Sequence, residues 1–235
     1  MQTTYLKVLL LGLVLAWAGT AQAGFVGGVE SFDGTGKDTD TWEEYTADGG
    51  SASRDYEGIL QLDTKADYTT KTFTVGVGEY VRVYLNANSA GYYGINCLFL
   101  TNDSLGTTGR TVDDSRLLAV MWSNYSAKIF SRVKIDDSED DVDILTGQGS
   151  LNGFWFQIER LSGTEARFSA FDSGMNPVGT AQTRTFSDVP DNLYISMYTG
   201  SSNCDYDNVM VGTIPEPATM GLIILGGLIL RRRGR

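Results

Sequence analysis

Histidine is absent from all 235 residues of the sequence. That absence removes every mechanism in which imidazole serves as a base, a relay or a metal ligand. Positive charge is also scarce, with 18 Lys and Arg against 29 Asp and Glu and a formal net charge of −11. Between residues 24 and 214 the imbalance deepens to 13 basic against 28 acidic residues. Phosphate backbones are held by clustered Lys and Arg, so no nucleic-acid partner is expected. An acidic body instead fits a soluble surface protein, or one that holds divalent cations. Proline is rare at 4 residues while glycine reaches 28, a balance suited to many tight turns between strands. No amphipathic helix is legible between residues 24 and 214, which excludes a helical bundle.

The two ends carry the clearest signals. Lys7 precedes an apolar run from Val8 to Ala18, and Ala21-Gln22-Ala23 supplies the small-x-small pattern of a cleavable secretion signal. Cleavage is expected between Ala23 and Gly24, leaving residues 1–23 as a signal peptide. At the other end Pro215-Glu216-Pro217 interrupts regular structure, an uncharged stretch follows from Ala218 to Leu230, and Arg231, Arg232, Arg233 and Arg235 close the sequence. A basic cluster behind an apolar segment stays on the cytoplasmic side, so the body is expected outside. Thirteen helical residues span roughly 20 Å of a 30 Å hydrocarbon core, a marginal anchor.

That order of Pro-Glu-Pro, short apolar helix and arginine cluster resembles the PEP-CTERM sorting signal of Gram-negative bacteria, here over residues 213–235. The resemblance implies recognition of Pro215, Glu216 and Pro217 by an exosortase, a membrane-embedded cysteine protease. Arg231, Arg232 and Arg233 would hold the tail at the inner face of the inner membrane until processing. It also implies a place in envelopes and biofilms rich in exopolysaccharide.

Residues 24–212 read as one β-sandwich. Val81, Val83 and Leu85 alternate with Tyr80, Arg82, Tyr84 and Asn86; Phe154, Phe156 and Ile158 alternate with Trp155, Gln157 and Glu159; Leu193, Ile195 and Met197 alternate with Tyr194, Ser196 and Tyr198. Each set gives a half-buried antiparallel strand one apolar face. Further strands are expected at Glu57–Asp63, Thr69–Val75, Gly94–Thr101, Leu117–Ser123, Ala127–Ile135, Ala166–Asp172 and Tyr206–Gly212. Ten or more strands without helices predict an all-β, antiparallel sandwich of jelly-roll type. Glu30-Ser31-Phe32-Asp33-Gly34, the hairpin Phe154–Phe171 and Tyr206-Asp207-Asn208-Val209-Met210-Val211 are similar to concanavalin-type, laminin-G-like domains. That similarity implies first and last strands lying close together.

Cys97 and Cys204 are the only cysteines. In an exported chain they are expected to form a disulfide, with two buried free thiols as the alternative. Asp136, Asp137, Glu139, Asp140, Asp141 and Asp143 crowd into eight residues but lack the Asp-x-Asp-x-Asp-Gly spacing of a calcium loop, so a solvated loop is expected. A structural calcium ion at Asp33, Asp205 and Asp207 follows only from the fold similarity. Tyr92, Tyr93, Tyr125, Tyr194 and Tyr198 are candidates for an outward aromatic platform able to stack on sugar rings, although sheets favour aromatics for cross-strand pairing alone. No Glu-x-Asp-x-Glu run places paired carboxylates on one strand face, and no Gly-x-Ser-x-Gly elbow is present. The expectation is therefore a non-enzymatic envelope or matrix protein with a structural or adhesive role against exopolysaccharide. A specific carbohydrate-binding module and a glycan-processing enzyme are the alternatives.

Overall fold

The computed structural model describes residues 29–30, 32, 41–46, 54–56, 59–62, 66–87, 95–102, 117–135, 138–187, 189–200 and 204–214. Ala23, Gly24, Asp33, Asp136, Asp137, Tyr92, Tyr93, Pro215, Glu216, Pro217 and Arg231 to Arg233 lie outside them, as does the expected C-terminal helix.

The described residues form strands and no helix. β1 (Val29–Glu30), β2 (Trp42–Thr46), β3 (Arg54–Tyr56), β4 (Ile59–Leu62) and β5 (Ala66–Val75) come first. β6 (Glu79–Ala87), β7 (Ile95–Thr101), β8 (Leu117–Ser123), β9 (Lys128–Ile135) and β10 (Ser138–Thr146) follow. β11 (Leu151–Ser162), β12 (Glu165–Phe171), β13 (Pro177–Thr185), β14 (Leu193–Thr199) and β15 (Cys204–Thr213) complete the set. One sheet has eight strands in the order β13-β12-β11-β6-β15-β4-β3, with β1 also paired to β15. The other has seven, ordered β10-β9-β8-β7-β14-β5-β2. All pairings are antiparallel, and the two sheets pack face to face as a jelly roll. The first and last strands are neighbours, with Val29 opposite Met210 and Glu30 opposite Val209.

The alternation of the sequence explains the core. Val81, Val83, Leu85, Phe156 and Ile158 point inward from the eight-stranded sheet, and Leu98, Leu100, Val120, Ile195 and Met197 from its partner, all 0% exposed. Each such side chain taken from water contributes about 1.5–3 kcal/mol before the entropy of ordering is counted. Tyr206 crosses the layer, its hydroxyl donating to the carbonyls of Tyr198 (2.6 Å) and Cys97 (3.4 Å). Near the β2 edge Phe32, Trp42 and Tyr68 pack ring on ring, with Trp42 and Tyr68 stacked at 5.1 Å.

At the opposite edge the sheets are stitched together. Gly179 of β13 comes so close to β10 that a Cβ there would lie 2.0 Å from the Ile144 carbonyl oxygen, and its φ of +66° suits glycine. Gln182 donates to the Asp143 carbonyl at 2.9 Å, while Arg184 reaches across to Asp140 and to Ser131. The acidic run is therefore corrected: its described part is the edge strand β10, not a solvated loop. Lys128, Arg132 and Lys134 on β9 face Asp143, Asp141 and Glu139, and this row of paired charges also guards a sheet edge against further strand addition.

One end of the sandwich is closed by the turn after β5. The Gly78 amide donates to the Arg160 carbonyl and the Gly78 carbonyl accepts from the Ile214 amide, both at 2.7 Å. Arg160 is fully buried there, its Nη2 donating to the Pro190 carbonyl at 3.0 Å. Burial lowers the pKa of its guanidinium, partly offset by Asp191.

Candidate functional site

The inward residues leave two outer faces, and their chemistry differs. On the eight-stranded sheet the outward positions of β15, β6, β11 and β12 align in rows. Asp207, Tyr84, Trp155 and Phe171 form one, Met210, Arg82, Gln157 and Ser169 the next, and Gly212, Tyr80, Glu159 and Arg167 the third. Arg82 Nε donates to Gln157 Oε1 at 2.6 Å, Gln157 Nε2 donates to Glu159 Oε1, and Arg167 Nη2 donates to Glu159 Oε2. The Arg82 guanidinium lies 5.4 Å from the Tyr80 ring centre and 5.3 Å from that of Phe171. Tyr84 and Trp155 meet edge to face at 5.2 Å, and the Trp155 indole nitrogen has no acceptor.

Glycine makes room for these rings. Gly153 sits at a bulge with φ +73°, where a Cβ would stand 2.5 Å from the Tyr84 hydroxyl. At Gly212 a Cβ would stand 2.7 Å from the Tyr80 ring. Asp207 flanks the rows at a bulge of β15, accepting from the Asn208 amide (2.6 Å) and side chain (2.7 Å). Burial raises the pKa of its carboxyl group.

The outer face of the seven-stranded sheet is apolar in its middle. Cys97, Phe99, Ala119, Met121 and Phe130 alternate with core residues and form a second cluster, each no more than 3% exposed. Its charges lie at one side: Arg132 makes a two-bonded pair with Asp141 at 2.8 and 2.9 Å, and Arg132 and Lys128 flank the Phe130 ring. The Asp141 bonds raise the pKa of Arg132.

This division decides several expectations. Cys97 belongs to the outer cluster of the seven-stranded sheet and Cys204 to the core between the sheets, so the expected bridge is replaced by two buried free thiols. Desolvation raises the pKa of both thiols, with Asp67 adding to the effect at Cys97. Asp205 and Asp207 share the outer face of β15, and among the described residues no third carboxylate joins them in a group suited to a metal ion. Gln61 donates to Asp205 at 3.0 Å and Asn208 to Asp207, and the described residues hold no group of three His, Cys, Asp or Glu suited to a metal ion. Tyr194 and Tyr198 are half-buried on the seven-stranded sheet, and Tyr125 lies 70% exposed in the β8–β9 turn, so these three make no common platform. The residues that do cluster, Tyr80, Arg82, Tyr84, Trp155, Gln157 and Glu159, stood in the sequence as the polar side of two alternating strands. Their opposition across β6 and β11 was the missing signal.

No protein-family model matches this sequence, and no curated protein is significantly similar to it. Solved structures do share the fold. An endo-β-1,3-glucanase from Pyrococcus furiosus superposes with a TM-score of 0.57 at 10% identity, covering 79% of this chain and 92% of its own. An endo-acting O-glycanase of the human gut microbiota gives 0.56 at 12% identity, covering 80% and 98%. The exoplasmic domain of VIP36, bound to Ca²⁺ and Man3GlcNAc, gives 0.53 at 12% identity, covering 80% and 91%. A porphyranase and a pseudo β-1,3-glucanase of Mycobacterium tuberculosis also match. The expectation of a non-enzyme is corrected by these findings. It rested on missing motifs, whereas most of these structures are glycoside hydrolases, so the absence of a Glu-x-Asp-x-Glu run is too narrow a ground for excluding glycan chemistry on this fold.

Proposed function

We propose that this chain is an exported protein of the cell envelope or extracellular matrix whose jelly roll engages exopolysaccharide. The observation that carries this reading is the fold itself, shared over about four-fifths of the chain with a lectin domain and several glycanases. The leader of residues 1–23 and the tail of residues 213–235 support the route. The tail holds the chain in the inner membrane, an exosortase-type protease recognises Pro215-Glu216-Pro217, and the body passes to the surface or beyond. Two experiments test it. Expression of the full chain with and without an exosortase should change the mass of the C-terminal peptide only when the protease is present. The purified chain should then bind a polysaccharide saturably. Repeating the binding with calcium and with chelator reads whether a structural calcium ion contributes.

A second reading, glycan cleavage, is favoured by the number of glycoside hydrolases among the similar structures. It predicts release of new reducing ends from the polysaccharide that binds. Binding without any such release retires it.

A further inference from the structure

Tyr80, Tyr84, Trp155 and Phe171 belong to neither apolar cluster, yet they lie together on one outer face. We propose that this face of the eight-stranded sheet is the binding surface, and that its ligand is a neutral polysaccharide chain. The proposal rests on the reading that the jelly roll engages polysaccharide, and adds the face and the ligand class.

Four observations support the choice. Aromatic rings alternate with polar side chains in successive rows, so apolar sugar faces and sugar hydroxyls both find partners. Four residues of β6 separate the Tyr80 and Tyr84 rows, about 13 Å of strand, which suits an extended chain more than a single ring. The hydrogen-bonding capacity is mixed. Arg167 is 47% exposed beyond its bond to Glu159, and the Asp207 carboxylate oxygens are acceptors. A hydroxyl both donates and accepts, and so answers each of these groups. Finally, residues 24–214 carry 28 acidic against 13 basic residues, a field that repels a polyanion. The two arginines do not overturn that field, because Arg167 is paired with Glu159 and Arg82 is bonded to Gln157.

Affinity electrophoresis of the full chain tests the proposal, with β-glucan, galactomannan or mannan in the gel and alginate or polygalacturonate as anionic counterparts. At least one neutral polymer should retard the protein, and the anionic ones should not. Tyr84→Ala and Phe171→Ala should each weaken binding about tenfold or more. Tyr84→Phe, which keeps the ring, should stay within about twofold, and Tyr125→Ala and Tyr194→Ala should match wild type. Thermal melts of each variant separate lost binding from lost folding. Unchanged binding by folded Tyr84→Ala and Phe171→Ala overturns the face, and retention by anionic polymers alone overturns the ligand class. A solution dimer that shields Trp155 from quencher overturns the face in favour of a second copy of the chain. Wild-type protein that binds no polysaccharide at all takes down the underlying reading as well.

Discussion

The two outer faces of the sandwich obey the same alternation and reach opposite results. On β6 and β11 the outward residues are Arg, Gln, Glu, Tyr and Trp, linked side chain to side chain across the strands and half-buried, apart from Gln157 and Glu159, which are 5% and 6% exposed. On β7 and β8 they are Cys97, Phe99, Ala119 and Met121, as buried as the core itself. Period-two patterning tells which residues share a face. It does not tell whether that face meets water. Only the relation between neighbouring strands separates a surface from a second core.

Four measurements break or sharpen this contrast. Ala119→Asp places an unpaired carboxylate in the closed face and should cost about 4 kcal/mol by urea unfolding, whereas Thr183→Asp, exposed and opposite Arg167 on the other sheet, should change stability by about 0.5 kcal/mol or less. Equal costs would erase the distinction. Alkaline titration is next. Burial raises the pKa of Cys97, Cys204 and Tyr206, so above about pH 9 the unfolded chain sheds protons that the folded chain retains. Stability is therefore complete below that pH and declines above it, by about 1.4 kcal/mol per pH unit for each group fully in its window. Cys97→Ala should flatten the decline; an unchanged slope would mean that the closed face admits water.

On the other face, Glu159→Ala removes a buried acceptor, 6% exposed, shared by Arg167 and Gln157 and should cost about 1–2 kcal/mol. A neutral result would show that the linked row is not a single unit. The smallest effect belongs to the charged side of the closed face. Asp141→Asn weakens an exposed pair with Arg132 and should cost less than about 1 kcal/mol, with the difference fading in high salt.

Much of the fold is legible in the sequence because half-buried strands write their period locally. β8 runs from Leu117 to Ser123 as expected, and β6, β9, β12 and β14 differ from expectation by a residue or so. β10 and β13 escape for a common reason. Both are edge strands with few inward apolar residues, and their stability comes from partners elsewhere in the chain. Six crowded carboxylates look self-repelling until Lys128, Arg132, Lys134 and Arg184 are set beside the described ones. The cysteines mislead in a related way. Cys97 lies in an apolar strand and Cys204 opens the last one, but Cys97 has the parity of Phe99 rather than of Leu98, and that places it on the far side of its sheet. The candidate site was half visible: its residues were correctly assigned outward, while their meeting across β6 and β11 depends on register.

The last strand also has a mechanical meaning. β15 lies inside its sheet, with β6 along one side and β4 and β1 along the other, and Ile214 is still bonded to Gly78 one residue before Pro215. A pull on the C-terminus therefore loads these ladders in shear, and many hydrogen bonds must fail together. Had the chain left from an edge strand such as β13, the same pull would open them one after another. On the proposed route, a body tethered by its tail would be held through an interior strand bonded along both sides.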